Sequence, residues 1–163
     1  MIRAIFFDLD QTLVDRAQTF QTYLHQLFQD LVEPLHVNER DFYQQVHRWD
    51  DNGYRNKMET FSLVVQELSI SLQPEQLLAH FTEHYGNDSV LFDGVTATLK
   101  QLASTYPLAL ITNGRTLGQQ KKLDVTGIEP FFTQVYISEA QGLKKPEPEL
   151  YLRACEQMNL SPE

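Results

Sequence analysis

Asp8 and Asp10 follow directly on the apolar run Ile5-Phe6-Phe7 near the start of the chain. In extended backbone, residues two apart project to the same side. Two like charges held that close repel each other, so something must favour the arrangement. A bound cation is the simplest candidate, and hard oxygen donors suit Mg²⁺. The competing reading is a solvated turn in which Asp10 or Thr12 caps a helix. Two later clusters weigh against it. Thr112-Asn113-Gly114 follows the apolar run 106–111, and Lys144-Lys145-Pro146 comes shortly after the run 132–137. A carboxylate nucleophile, a hydroxyl with nearby backbone N–H groups, and a lysine suit phosphoryl transfer, which needs charge stabilisation on the phosphoryl oxygens. Taken singly, Thr112-Asn113-Gly114 reads equally well as a turn, and Lys145-Pro146 as a solvated loop. All three at strand ends, in this order, are specific.

The elements that must position these groups follow from hydrophobic spacing. Ile5-Phe6-Phe7, 106–111 and 132–137 have the continuous apolar character of strands buried on both faces of a parallel sheet. Helical patterns lie between and after them: one with Val95, Leu99 and Leu102, one over 116–125 stopped near Gly127, and one carrying Leu150, Tyr151, Ala154 and Met158. Residues 139–145 read as a loop. Alternating strand and helix argues for parallel βαβ units, whose strand carboxyl ends meet at one edge. Between residues 14 and 90 the spacing predicts helices only: 16–33, 39–49, 57–68, and one opening at Pro74 and stopping at Gly86. The expectation is therefore an α/β, Rossmann-like core from 1–13 and 91–163, with a helical cap inserted over 14–90.

The chain has 163 residues and a formal net charge of −9, which argues against a nucleic-acid or anionic-membrane surface. Cys155 is the single cysteine, so no internal disulfide is expected and a reducing, cytoplasmic setting fits. Cys155 itself reads as a small buried residue. No apolar stretch reaches the length of a membrane span. His80 and His84 share a helix face at metal-ligand spacing without a third ligand, and read as a surface or partly packed pair.

With those residues in view, the chain resembles the haloacid-dehalogenase superfamily of hydrolases, in the subfamily whose helical cap follows the first motif. Asp8-Leu9-Asp10-Gln11-Thr12 is similar to the family's Asp-x-Asp-x-Thr. The resemblance implies that Asp8 forms an aspartyl-phosphate and binds Mg²⁺ through its carboxylate. It implies that Asp10 is general acid and then base, with its main-chain carbonyl on the metal. Thr112 would hold the phosphoryl group with help from the Asn113 N–H, and Thr12 and Gly114 would complete the substrate-binding set. Lys145, directly before Pro146, would pair with Asp8 and the phosphate, ahead of Lys144.

The implied activity is Mg²⁺-dependent hydrolysis of a small phosphorylated metabolite. Asp10 disfavours the dehalogenase branch. Lys57, the only lysine in 14–90, is a weak basis for phosphonate cleavage. The Asp-x-Asp-x-Thr form favours a phosphatase over a phosphomutase. A phosphoacceptor receiver domain and a non-catalytic phosphatase-like module are the readings from other classes. Within the cap, Asp51, Asn52, Tyr54 and Arg55 are the first candidates for substrate choice. Gln11 departs from the family's usual glycine. The fourth motif, an acidic pair, is expected beyond Glu163, so the core is expected to be incomplete there. Ala4–Phe7 would then form an exposed sheet edge open to self-association.

Overall fold

The computed structural model describes residues 2–161, so the expected end of the core at Glu163 lies outside the described residues. In chain order the elements are β1 (Ile5–Phe7), α1 (Arg16–Leu27), α2 (Glu39–Asp50), α3 (Lys57–Leu68), α4 (Pro74–His84), α5 (Val95–Ala103), β2 (Leu108–Thr112), α6 (Thr116–Thr126), β3 (Gln134–Ile137), α7 (Ser138–Gln141) and α8 (Pro148–Gln157). They divide into two compact units, Met1–Thr19 with Gly86–Glu163, and Phe20–Tyr85.

The first unit is an α/β fold. Its strands pair in parallel in the order β1-β2-β3, with Ile5 opposite Leu108 and Thr112 opposite Ile137. Every residue of β2 is buried. Its alternation separates two apolar clusters, as the twofold period of a strand requires. Leu108 and Leu110 pack with Leu9, Leu13, Val14, Leu99, Leu123 and Ile128, whereas Ala109 and Ile111 pack with Tyr136, Leu150 and Ala154. Helices thus cover both faces of the central strand. β2 begins at Leu108 rather than at Tyr106, because Pro107 has no N–H for a ladder; its carbonyl still accepts the Ile5 N–H at 3.1 Å. Two further differences from the expected elements fall here. Residues 138–141 form the short helix α7 rather than loop, and Cys155 is half-buried rather than buried.

The second unit is helical throughout. Phe20, Tyr23, Leu24, Leu27, Phe42, Val46, Phe61, Val64 and Leu77 form one buried cluster. Side-chain caps start its helices: Asn38 accepts the Asp41 N–H, Asn56 accepts the Met58 N–H, and Gln76 accepts the Gln73 N–H ahead of Pro74. The expected helix over 16–33 is α-helical only to Leu27. Phe28–Val32 widens into a π-helical turn, closed by the Glu33 N–H on the Phe28 carbonyl, before a 3₁₀ turn carrying Pro34. Proline cannot donate into an α-helical ladder, so the helix cannot run through it. His80 is buried, with Nε2 3.0 Å from Asp30 Oδ2 and its ring 4.4 Å from that of His84. Tyr54 is solvent-exposed, and Arg55 lies over the Trp49 ring at 5.0 Å.

The joins lie inside the bounds read from the sequence. Val14 is buried in the α/β unit and forms an antiparallel bridge to Leu91. The Asp15 N–H donates to the Val90 carbonyl at 2.9 Å, and the Val90 N–H to Thr19 Oγ1 at 3.3 Å. These bonds attach 14–19 and 86–90 to the sheet unit.

Candidate active site

β1 ends at Phe7, and the chain closes a tight loop over 9–14. The Leu9 carbonyl accepts the Leu13 and Val14 N–H groups, both at 2.9 Å, and the Val14 carbonyl accepts the Gln11 N–H at 2.9 Å. The loop turns at Gln11, whose φ of +59° is the left-handed conformation that glycine adopts most cheaply. That is the physical reason for the family's preference at this position, and Gln11 meets the same geometry with a side chain. Thr12 is exposed in this turn, and its N–H reaches only the Leu9 carbonyl at 3.4 Å.

Asp8, Thr112 and Lys145 do come together as strand order requires. Lys145 Nζ is 2.6 Å from Asp8 Oδ1, which also accepts the Leu9 N–H at 2.8 Å. Lys144 instead uses its N–H on Glu147 Oε2 at 3.4 Å. The Asn113 side chain anchors the Lys145 backbone from both sides. Its Oδ1 accepts the Lys145 N–H at 2.8 Å, and its Nδ2 donates to the Lys145 carbonyl at 3.0 Å. This second use of Asn113, as the clamp on the lysine loop, is additional to the backbone role implied by the resemblance. The Gly114 N–H donates to Ser138 Oγ at 3.0 Å, which ties the end of β2 to α7. The Thr116 N–H, at the start of α6, donates to Glu139 Oε2 at 2.8 Å. That bond, more than the partly solvated Arg115, holds the Glu139 carboxyl below the usual carboxylate range.

Gln119 and Lys122 complete the cluster, and sequence reasoning missed both. Lys122 Nζ donates to both Asp10 carboxylate oxygens, at 2.7 and 2.8 Å. Gln119 Nε2 donates to Asp10 Oδ2 at 3.0 Å and to Thr112 Oγ1 at 2.6 Å. Both side chains are buried, at 4% and 2% exposed, whereas the apolar Leu117 and Val125 of the same helix are 57% and 50% exposed. On the buried side of α6, Leu123 packs in the core while Gln119 and Lys122 fill the rest. Burial pulls the Lys122 ammonium below the ordinary lysine range, against the Asp10 carboxylate, which favours its charge. Gly114, at φ +150°, leaves room for Gln119, because a Cβ there would lie 2.9 Å from the glutamine side chain.

The oxygen donors near Asp8 suit Mg²⁺ in part. Among the described residues no group of three or more His, Cys, Asp or Glu could hold a metal ion. Asp10 spends its carboxylate on Lys122 and Gln119. Its main-chain carbonyl stays clear of the Asp10–Val14 bridge, which uses the Leu9 carbonyl and the Gln11 N–H. One carboxylate and one carbonyl are the modest protein share that Mg²⁺ accepts when waters and substrate phosphate supply the rest.

No helix is long and apolar enough to cross a membrane among the described residues. The model of the haloacid dehalogenase-like hydrolase family matches residues 5–163. The chain is 31% identical over 165 residues to a phosphoglycolate phosphatase of Colwellia psychrerythraea, covering 96% of this chain and 70% of that one. It is 25% identical over 170 residues to a glyceraldehyde 3-phosphate phosphatase of Methanopyrus kandleri, covering 100% and 73%. Among solved structures it is similar to the putative HAD-hydrolase YfnB of Bacillus subtilis bound to magnesium, with a TM-score of 0.73, 25% identity, and 95% and 72% coverage. The strand-end geometry and the matched residues agree: this chain belongs to the haloacid dehalogenase-like hydrolase family.

Proposed function

We propose that the chain hydrolyses small phosphomonoesters through a phosphoryl group carried on Asp8. The observation that carries this reading is the 2.6 Å contact between Lys145 Nζ and Asp8 Oδ1, with Thr112 at the end of the neighbouring strand. Asp8 attacks phosphorus, and the ester oxygen leaves with a proton from Asp10. Water then attacks the aspartyl-phosphate, gives a proton to Asp10, and releases phosphate and free Asp8. Lys145 neutralises charge on the phosphoryl oxygens while it fixes the Asp8 carboxylate. The Thr112 hydroxyl donates to the phosphoryl group, with Asn113 holding the Lys145 loop in place. Asp8 and the Asp10 carbonyl would hold Mg²⁺, which when bound supplies positive charge opposite the phosphoryl oxygens.

The relatives named for phosphoglycolate and glyceraldehyde 3-phosphate support a small, anionic, three-carbon or shorter ester as the substrate class. Asp51, Asn52, Tyr54 and Arg55 remain the candidates for choosing among such esters. β1 hydrogen-bonds to β2 on one side, and no strand among the described residues pairs with its other side. Its half-buried Ile5, Phe6 and Phe7 are the surface on which we expect copies of this chain to associate, as light scattering would register. The test of function is hydrolysis of p-nitrophenyl phosphate with Mg²⁺. Turnover that chelation removes and Mg²⁺ restores is expected; a wild-type chain without turnover overturns the reading.

A further inference from the structure

We propose that Lys122 and Gln119, one turn apart on α6, are positioning residues for the hydrolysis. They hold the Asp10 carboxylate in a single rotamer and aim the Thr112 hydroxyl. The proposal rests on the phosphatase reading above and adds two residues to it.

The argument begins with geometry. An acid–base carboxylate must stay within hydrogen-bond reach of the atom it serves. Asp10 sits on a loop, and a carboxylate there needs a partner to hold its rotamer. Lys122 does so from another element, since one ammonium meets both oxygens at 2.7 and 2.8 Å. A lysine buried to 2% exposure loses hydration, and its ammonium is paired with the Asp10 carboxylate, with the Asp8 charge also favouring it. The two-oxygen contact with Asp10 compensates that ammonium's charge at hydrogen-bond distance.

Gln119 links this pair to the phosphoryl-binding strand. Its amide has two N–H groups, and its two shortest contacts are Thr112 Oγ1 and Asp10 Oδ2. Both partners accept, so the amide nitrogen, not its oxygen, must face them. Because Thr112 Oγ1 accepts from Gln119, its own hydrogen points elsewhere. Among the described residues that hydrogen finds the Asn113 carbonyl, in a long 3.4 Å contact. That weak bond is easily exchanged for a phosphoryl oxygen. Gly114 preserves the arrangement by leaving the space that Gln119 fills.

The test compares leaving groups. Protonation by Asp10 matters for an alkyl leaving group and little for p-nitrophenolate. With Lys122→Met, kcat/KM should fall on the order of 100-fold for β-glycerophosphate and less than about 10-fold for p-nitrophenyl phosphate, the range assigned to positioned acid–base groups. Lys122→Arg should recover part of the alkyl-ester loss. Gln119→Leu should lower both substrates, because Thr112 serves either ester, and the alkyl ester more, because Asp10 loses a partner too. Lys122→Met leaves Asp10 without its charge partner, so the double variant Asp10→Asn/Lys122→Met, with both charges gone, guards against a folding defect. If Lys122 acts through Asp10, the double variant turns over alkyl ester no more slowly than Asp10→Asn alone. Equal losses for the two leaving groups, or additive losses in the double variant, overturn the positioning role while leaving the phosphatase reading intact. A wild type without phosphatase turnover defeats both.

Discussion

Each of the two units buries one lysine–aspartate pair, and the pairs have opposite neighbourhoods. In the helical unit Lys57 Nζ lies 2.6 Å from Asp50 Oδ1, and the buried partner is the acid. In the sheet unit Lys122 meets Asp10, and the buried partner is the base. Asp50 closes α2 beside the aromatic cluster, and Lys57 opens α3 over the Phe81 ring at 5.7 Å. Asp10 follows Asp8 and shares Gln119 with Thr112. A buried ion pair is therefore no mark of a site by itself. The mark is whether the pair's other neighbours are groups that could act on a substrate. The wider contrast agrees: rings of Phe20, Tyr23, Phe42, Phe61, Phe81 and Tyr85 pack the helical unit, while side-chain-to-backbone bonds fix the sheet unit's loops.

The sharpest break in the comparison is Asp8→Asn. It should remove phosphatase turnover by on the order of 10⁴-fold, as loss of a nucleophile does, with an unchanged unfolding midpoint. The near-isosteric amide keeps the Leu9 N–H acceptor, so circular dichroism should match the wild type. The opposite profile is expected in the helical unit. Leu24→Ala, at a fully buried position, should cost about 3 kcal/mol in urea unfolding. Asp50→Asn should cost about 2 kcal/mol, below the usual cost of breaking a buried pair because Lys57 still reaches water. Neither variant should alter the chemical step of the folded enzyme, and a leaving-group dependence in either would erase the distinction between the pairs.

The smallest effect belongs to Glu139. Its carboxyl is depressed by the Thr116 N–H, so the contact's stabilisation is present above the ordinary glutamate pKa of 4.5. It is lost as pH falls through the depressed value. NMR titration should give Glu139 a midpoint below the ordinary glutamate value, and Thr116→Pro, which removes the donor, should raise it.

What could be read from the sequence was whatever lies on or directly after a strand. Asp8, Thr112 and Lys145 each follow an apolar run, and parallel strands carry such residues to one edge. The helix start at Pro74 was legible, since proline suits the first helical position. Gln119 and Lys122 were not, because they enter from the middle of a helix. Polar residues there normally face water, and only the exposure of Leu117 and Val125 shows that this helix is turned the other way. The bonds that tie 14–19 to 86–90 join distant segments through backbone groups and the Thr19 hydroxyl.

The central claim is that phosphoryl transfer passes through Asp8 and is resolved by Asp10. The most direct measurement is mass spectrometry of acid-quenched Asp10→Asn protein after incubation with p-nitrophenyl phosphate and Mg²⁺. With a good leaving group the attack needs no acid, whereas hydrolysis stalls without its base. The account predicts one phosphoryl adduct, on the peptide that carries Asp8, and none in the Asp8→Asn/Asp10→Asn protein. An adduct that persists when Asp8 is replaced, or Asp10→Asn turning over at the wild-type rate without any adduct, would contradict it.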